Sequence, residues 1–349
     1  MTQLIRFPGL GLEFQINPVA FSLGSFHIFW YGIIVTTGIF LSILYILRRS
    51  KQFGLDPDKL LDLAMFAVFA GIIGARIYYV AFSWDYYKDN LIDIFKIYEG
   101  GIAIYGGLIG GAIAVYYLCK RYQMRFLPVL DIAGTALLLG QGIGRWGNFV
   151  NVEAFGSNTT LPWGMTAPRI TEYLMAVKDS LSKSGVIVDP AMPVHPTFLY
   201  ESVWCLIGFG VLAWYTSRRK FDGELVLLYA IWNGSGRFVI EGLRTDSLMM
   251  GNIRISQLLA GLAVLASVAL LVYLHKNPQK RPALSTPLTE EKQGDASLDA
   301  EPSQPMEEST LEHHADPASE ETSDLAQGAS AHSDINLQNT EEDTNGTIN

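Results

Sequence analysis

Two arginines end the same short pattern at distant points of the chain: Gln141-Gly-Ile-Gly-Arg145 and Asn233-Gly-Ser-Gly-Arg237. A guanidinium presents its donors in a planar fork that matches an oxyanion, and glycines just before it let a ligand or another backbone come close. Such a pair suits phosphate binding. Two plainer readings stay open on this pattern alone. Each arginine could snorkel to a membrane interface, or pair with Glu153, Glu201 or Glu241.

Other chemistry-bearing residues cluster around these two. The run Gly144-Arg-Trp-Gly-Asn-Phe-Val-Asn-Val-Glu153 sets Asn148, Asn151 and Glu153 within nine residues of Arg145, more polarity than a hydrated turn requires. Downstream, Arg237, Glu241 and Arg244 fall at i, i+4 and i+7, one face of a helix, so Glu241 can orient Arg237. His195-Pro196 followed by Tyr200-Glu201 opens an apolar stretch; Thr197 can cap it and His195 can sit among headgroups. Tyr105 precedes Gly106 and Gly107 in a glycine-rich run that close helix packing would explain, and Tyr31 lies in a Trp-Tyr-Gly triplet typical of an aromatic belt.

The elements that must carry these residues are membrane helices. Charge-free or nearly charge-free stretches recur at 25–47, 60–82, 102–119, 128–143, 197–217, 225–241 and 255–274, predicting seven transmembrane helices. Basic residues follow the first, third, fifth and seventh, which makes those ends cytoplasmic, the N-terminus external and the C-terminus cytoplasmic. Arg145 lies 20 residues beyond Arg125, and Arg237 lies 17 beyond Lys220. At about 1.5 Å per residue both sit roughly 25–30 Å from the inner face, near the outer leaflet's headgroups. Asp62 and Asp131 fall near cytoplasmic helix ends, where capping accounts for them. The external connection 151–196 is long enough for a small head or lid.

The net charge of −9 over 349 residues is uneven. Residues 282–349 hold 16 acidic residues, one lysine and no aromatic, a composition that cannot bury enough apolar surface to fold; residues 1–281 carry a net +6. The expected organisation is therefore an all-α integral membrane body over 1–281 and a disordered acidic cytoplasmic tail over 282–349. An ordinary soluble fold is excluded. The two cysteines, Cys119 and Cys205, lie in apolar runs and offer neither a disulfide framework nor a metal cluster. No cofactor, metal or nucleic-acid partner is expected, and Met1–Pro18 lacks the features of a removable signal peptide.

Taken in order, these motifs resemble one family, the bacterial prolipoprotein diacylglyceryl transferases, across about residues 15–275. The resemblance rests on Trp30-Tyr31-Gly32, the run 106–110, the signature 144–153, His195-Pro196 with Tyr200-Glu201, and Gly236-Arg237-Phe238 with Glu241 and Arg244. It implies an enzyme of the bacterial cell membrane that moves the diacylglyceryl group of phosphatidylglycerol onto the lipobox cysteine of a preprolipoprotein signal peptide, with its active site toward the outer leaflet. On that resemblance Arg145 would bind the lipid phosphate, with Asn148, Asn151 and Glu153 building the same site. Arg237, steadied by Glu241, would neutralise the leaving group, and Tyr31, Gly106, Gly107, Arg244 and His195 would line the substrate site. Many family members carry His before the glycine run, where this chain has Tyr105. A phenol with an ordinary pKa near 10 is a poor base, so a positioning role is expected for Tyr105. A seven-helix transporter or receptor for an anionic ligand is the rival reading, and a lipid-binding scaffold without activity is a third.

Overall fold

The computed structural model describes residues 2–24, 26–97, 100–183, 187–244, 249–250 and 253–288. Most of the described residues from Trp30 onward are helical. The long helices are α1 (Trp30–Arg49), α2 (Pro57–Phe82), α4 (Ile104–Arg121), α5 (Phe126–Asn151), α7 (Thr197–Tyr215), α8 (Glu224–Glu241) and α9 (Ile255–Lys276), with a one-turn α3 (Trp84–Tyr87) and an amphipathic α6 (Pro168–Lys183) between them. Among the described residues five helical stretches are long and apolar enough to cross a membrane: Trp30–Phe53, Pro57–Phe82, Phe126–Asn151, Thr197–Arg218 and Ile255–Lys276. Helices α4 and α8 stand where two further spans were expected. They have 18 residues each, and four glycines in one and the charges of Glu224, Arg237 and Glu241 in the other lower their apolar content.

The structure is mostly helical, as expected of an all-α membrane protein, with short strands added at the N-terminus. Two antiparallel hairpins precede α1, β1 (Gln3–Phe7) with β2 (Leu12–Ile16) and β3 (Val19–Leu23) with β4 (Phe26–Phe29), and a further two-residue pairing joins β5 (Met249–Met250) to β6 (Ile253–Arg254). The first span thus begins at Trp30 rather than at 25. The apolar residues Phe26, Ile28 and Phe29 fit a half-buried strand as well as a helix, and periodicity over so short a run does not separate the two.

Helix α5 is the hub, packing on α1, α7 and α8. Small residues bring it close to α1: a Cβ on Gly38 would lie 3.1 Å from the Gly140 carbonyl, and Ser42 Oγ donates to Ala136 O at 2.9 Å. Helices α7 and α8 are locked by a reciprocal tryptophan pair. The indole N–H groups of Trp204 and Trp232 each donate to the other's carbonyl at 2.9 Å, and the rings stack 4.7 Å apart over Gly236 and Gly208. Helix α9 lies on α8, and α4 lies on α2 along a seam where Gly106 and Gly110 meet Gly74 and Ala70.

Asp131 is structural as expected, though it caps a neighbour rather than its own helix. Its carboxylate accepts from the backbone N–H groups of Gly223 and Val226 at 2.7 and 2.8 Å, satisfying the start of α8. Asp62 accepts from the Tyr122 hydroxyl at 3.2 Å instead of capping α2; that cap is Asp56.

The 151–196 connection is ordered over its described part, and it shares a small core with the first hairpin. Ile5, Phe7, Phe155, Met165, Ile170, Leu174 and Val194 are buried together against Val152 and Phe198 at the ends of α5 and α7. At the opposite end of the bundle the chain past Arg281 continues as a strap. Ser285 N and Oγ donate to the buried Asp222 carboxylate at 3.0 and 2.6 Å, Arg125 pairs with the same carboxylate at 2.8 Å, and Leu288 N donates to Lys51 O at 2.9 Å. Residues 282–288, expected to begin the disordered tail, therefore belong with the body; the rest of the expected tail, 289–349, lies outside the described residues.

Candidate active site

Helix α5 does not stop at 143 but runs to Asn151, so Arg145 and Asn148 project from its last two turns. Its exit is tight. Val152 (φ 50°) and Ala154 (φ 54°) both take the left-handed backbone conformation that costs a non-glycine residue about 1–3 kcal/mol, and they flank Glu153. The surroundings hold this turn in place: Thr197 Oγ1 donates to Ala154 O, Gly156 N to His195 O at 2.9 Å, and Ser157 N to Leu243 O at 2.6 Å. Gly156 is required there, since a Cβ would lie 2.7 Å from His195 Cβ and 3.0 Å from Leu243 O. One turn after α5 thus ties together the start of α7 and the segment following α8.

That arrangement gathers the charges. Glu201, buried on the first turns of α7 at 5% exposure, receives three guanidiniums. Arg145 Nη2 contacts its Oε2, Arg237 Nη1 lies 3.5 Å from the same oxygen, and Arg244 Nη1 lies 3.7 Å from Oε1. Glu241, also buried, lies 3.8 Å from Arg237. Among the described residues the group brings together three guanidiniums and two carboxylates. Beside it, Arg145 Nη1 reaches toward Asn148 Oδ1 at 3.5 Å, and Asn148 and Asn151 both donate to Glu153 Oε1, at 2.9 and 3.4 Å. Tyr31 joins this group by packing its ring on Gly147, where a Cβ would lie 2.8 Å away.

Several expectations are revised here. Arg244 is not on the helical face of Arg237 and Glu241, because α8 ends at Glu241; it reaches Glu201 from the segment beyond, paired to Gly156. The glycines of the two matched patterns do not all open space for a ligand. The Cβ positions of Gly234 and Gly236 are filled by Val264 and Trp204, and that of Gly142 by Leu206, whereas Gly144 faces open space. Gly106 and Gly107 face α2, so helix packing uses their small size. Tyr105 is 58% exposed on α4, and among the described residues its hydroxyl makes no hydrogen bond. His195 Nδ1 lies 3.2 Å from the Tyr200 hydroxyl, which accepts from Trp163 Nε1 at 2.7 Å; burial pushes the imidazole below its usual 6.5 by disfavouring its charged form.

Glu201 is the residue that sequence reasoning placed among pairing partners and left out of the site. The available signal was its position: an acid inside an apolar span, which is costly unless paired. An apolar recess of about 240 Å³ is lined by Trp30, Ile33, Ile34, Thr37, Ile143, Trp146 and Leu206 from α1, α5 and α7. Trp146 closes one side, fixed by donation from its Nε1 to Ser202 Oγ at 3.1 Å while Ser202 donates to Gly142 O at 2.7 Å.

Residues 18–273 match the family model described as prolipoprotein diacylglyceryl transferase. Similar proteins named phosphatidylglycerol–prolipoprotein diacylglyceryl transferase include one from Pediococcus pentosaceus, 39% identical over 268 residues, covering 76% of this chain and 93% of the relative. One from Finegoldia magna is 41% identical over 262 residues, covering 75% and 97%. One from Limosilactobacillus reuteri is 42% identical over 273 residues, covering 76% and 94%.

Proposed function

The chain belongs to the prolipoprotein diacylglyceryl transferase family, and from that premise we propose that its cluster of three arginines around Glu201 holds the phosphate of phosphatidylglycerol during transfer. The protein is a transferase: it moves the diacylglyceryl group of phosphatidylglycerol to the lipobox cysteine of a preprolipoprotein, the first step of lipoprotein maturation. The observation that carries the site assignment is the convergence of Arg145, Arg237 and Arg244, from two helices and a loop, on one buried carboxylate.

The chemistry follows from that charge. The cysteine reacts as its thiolate: the sulfur attacks the glycerol carbon, and a C–S bond forms as the C–O bond to phosphate breaks. The electron pair stays on the phosphate oxygen and glycerol phosphate leaves. A free thiol with a pKa near 8.5 is only a few per cent thiolate at pH 7, so a positive field favours the reactive form. The same field stabilises the charge that builds on the phosphate. Arg145 binds the phosphate, Asn148, Asn151 and Glu153 hold Arg145 in place, and Arg237, oriented by Glu241, meets the leaving group. Tyr31 lines the site and the apolar recess receives an acyl chain. His195 shapes its border, Gly106 and Gly107 serve the seam between α2 and α4, and no proton transfer is assigned to Tyr105.

Seven helices span the bilayer of the bacterial cell membrane, with the N-terminus outside, the tail in the cytosol and the arginines at the outer leaflet. The basic residues after α1, α4, α7 and α9 support this orientation. Isotopically labelled phosphatidylglycerol, incubated with purified protein and a lipobox peptide, tests the function. A diacylglyceryl thioether on the cysteine peptide, absent from its serine counterpart, is expected. Peptide binding without thioether would favour a scaffold without activity.

A further inference from the structure

A site that binds a phosphodiester and releases a phosphomonoester must lose its grip as the charge of its ligand rises. The lipid phosphate carries one negative charge. The glycerol phosphate that leaves carries nearly two at neutral pH, its second pKa being about 6. Three guanidiniums alone would hold the product more tightly than the substrate.

Glu201 occupies the position that answers this problem. Its carboxylate is 5% exposed and lies among the arginines assigned to the phosphate. Only Arg145 contacts it closely. Arg237 at 3.5 Å and Arg244 at 3.7 Å stand beyond the 2.7–2.9 Å typical of a charge-assisted bond, and among the described residues Oε1 makes no hydrogen bond. Neither Arg237 nor Arg244 closes to a charge-assisted bond with this carboxylate. The main chain of α7 is meanwhile fixed next door by the Ser202 bond to Gly142 O, so the carboxylate remains beside whatever anion enters.

We propose that Glu201 is a positioning residue that acts as a built-in competitor for the phosphate. It holds the three arginines together when no lipid is present, yields part of their hydrogen-bonding capacity to the phosphodiester, and reclaims it as the dianionic product departs. This rests on the phosphate assignment above. It goes further in giving Glu201 a role in product release.

The test compares full-length protein with Glu201→Gln and Glu201→Asp, measuring initial rates against phosphatidylglycerol and inhibition by glycerol phosphate. Glu201→Gln is expected to bind glycerol phosphate roughly tenfold more tightly, equivalent to about 1.4 kcal/mol. Its KM for the lipid should fall, and its kcat should fall as well because release slows. Glu201→Asp, one methylene shorter, should move all three quantities the same way by less, and it keeps the proposal testable if the glutamine variant does not fold. Weaker or unchanged glycerol phosphate binding in the folded variants would overturn the proposal and leave Glu201 a purely structural counter-ion. Failure of glycerol phosphate to compete with the lipid in the unaltered protein would instead contradict the phosphate assignment itself.

Discussion

Arg145 and Tyr105 make opposite cases for reading function from single residues. Arg145 stood out because a guanidinium inside an apolar stretch needs a reason, and its surroundings supply one: Glu201 in contact and Asn148 at 3.5 Å. Replacing it with alanine removes a phosphate partner and leaves Glu201 less compensated. We expect transfer to fall at least about a hundredfold, the scale for losing a donor to a developing oxyanion, while the protein still inserts into the membrane. Tyr105 drew attention through its place in the family pattern, yet its side chain is largely exposed and unbonded. Tyr105→Phe should therefore leave transfer near normal in the same peptide assay; a collapse of activity would show that the hydroxyl handles a proton. Asn148 and Glu153 were legible from their density at a helix exit. Glu201 was not legible as a site residue, because its meaning comes from Arg145, Arg237 and Arg244, which lie 56, 36 and 43 residues away in the chain and meet it only in three dimensions.

Helices carried most of what the sequence could say about the fold. Among the described residues a long helix stands over each recurring apolar stretch, and five of these helices are long and apolar enough to cross a membrane, because hydropathy over about 20 residues is a strong signal. The N-terminal hairpins gave no comparable signal, their strands being four or five residues long. Glycine was the residue most open to misreading, since close helix packing and ligand approach require the same absence of a side chain. Gly106 separates the two uses: a Cβ there would lie 2.3 Å from Gly74 O and from Tyr78 Cβ. Gly106→Val should force α2 and α4 apart at a cost of about 1–3 kcal/mol, the usual range for overpacking. A lowered melting temperature in detergent checks it; unchanged stability with lost lipid binding would return Gly106 to the substrate site.

At the scale of the whole molecule, charge is partitioned between a +6 segment and a −15 segment, and the border between them is not where composition puts it. Arg-Pro-Ala-Leu-Ser-Thr-Pro-Leu at 281–288 reads like the start of a tail, but Ser285 and Arg125 on Asp222, with Leu288 on Lys51, fasten it across the loops at one end of the bundle. Composition alone could not reveal this, because the buried acceptor, Asp222, lies 63 residues upstream of Ser285. Truncation after Leu288 should leave both melting temperature and transfer unchanged. Truncation after Arg281 strips Asp222 of two hydrogen bonds and should lower stability by about 1–3 kcal/mol. Equal behaviour of the two truncations would make the strap dispensable. A structure determined with phosphatidylglycerol bound measures directly where the lipid's phosphate sits. The phosphate is expected within about 3 Å of Arg145, facing Arg237 and Arg244, with one acyl chain toward Trp30 and Trp146. A phosphate seated away from all three arginines, with Glu201 still bound to Arg145, would contradict the phosphate assignment.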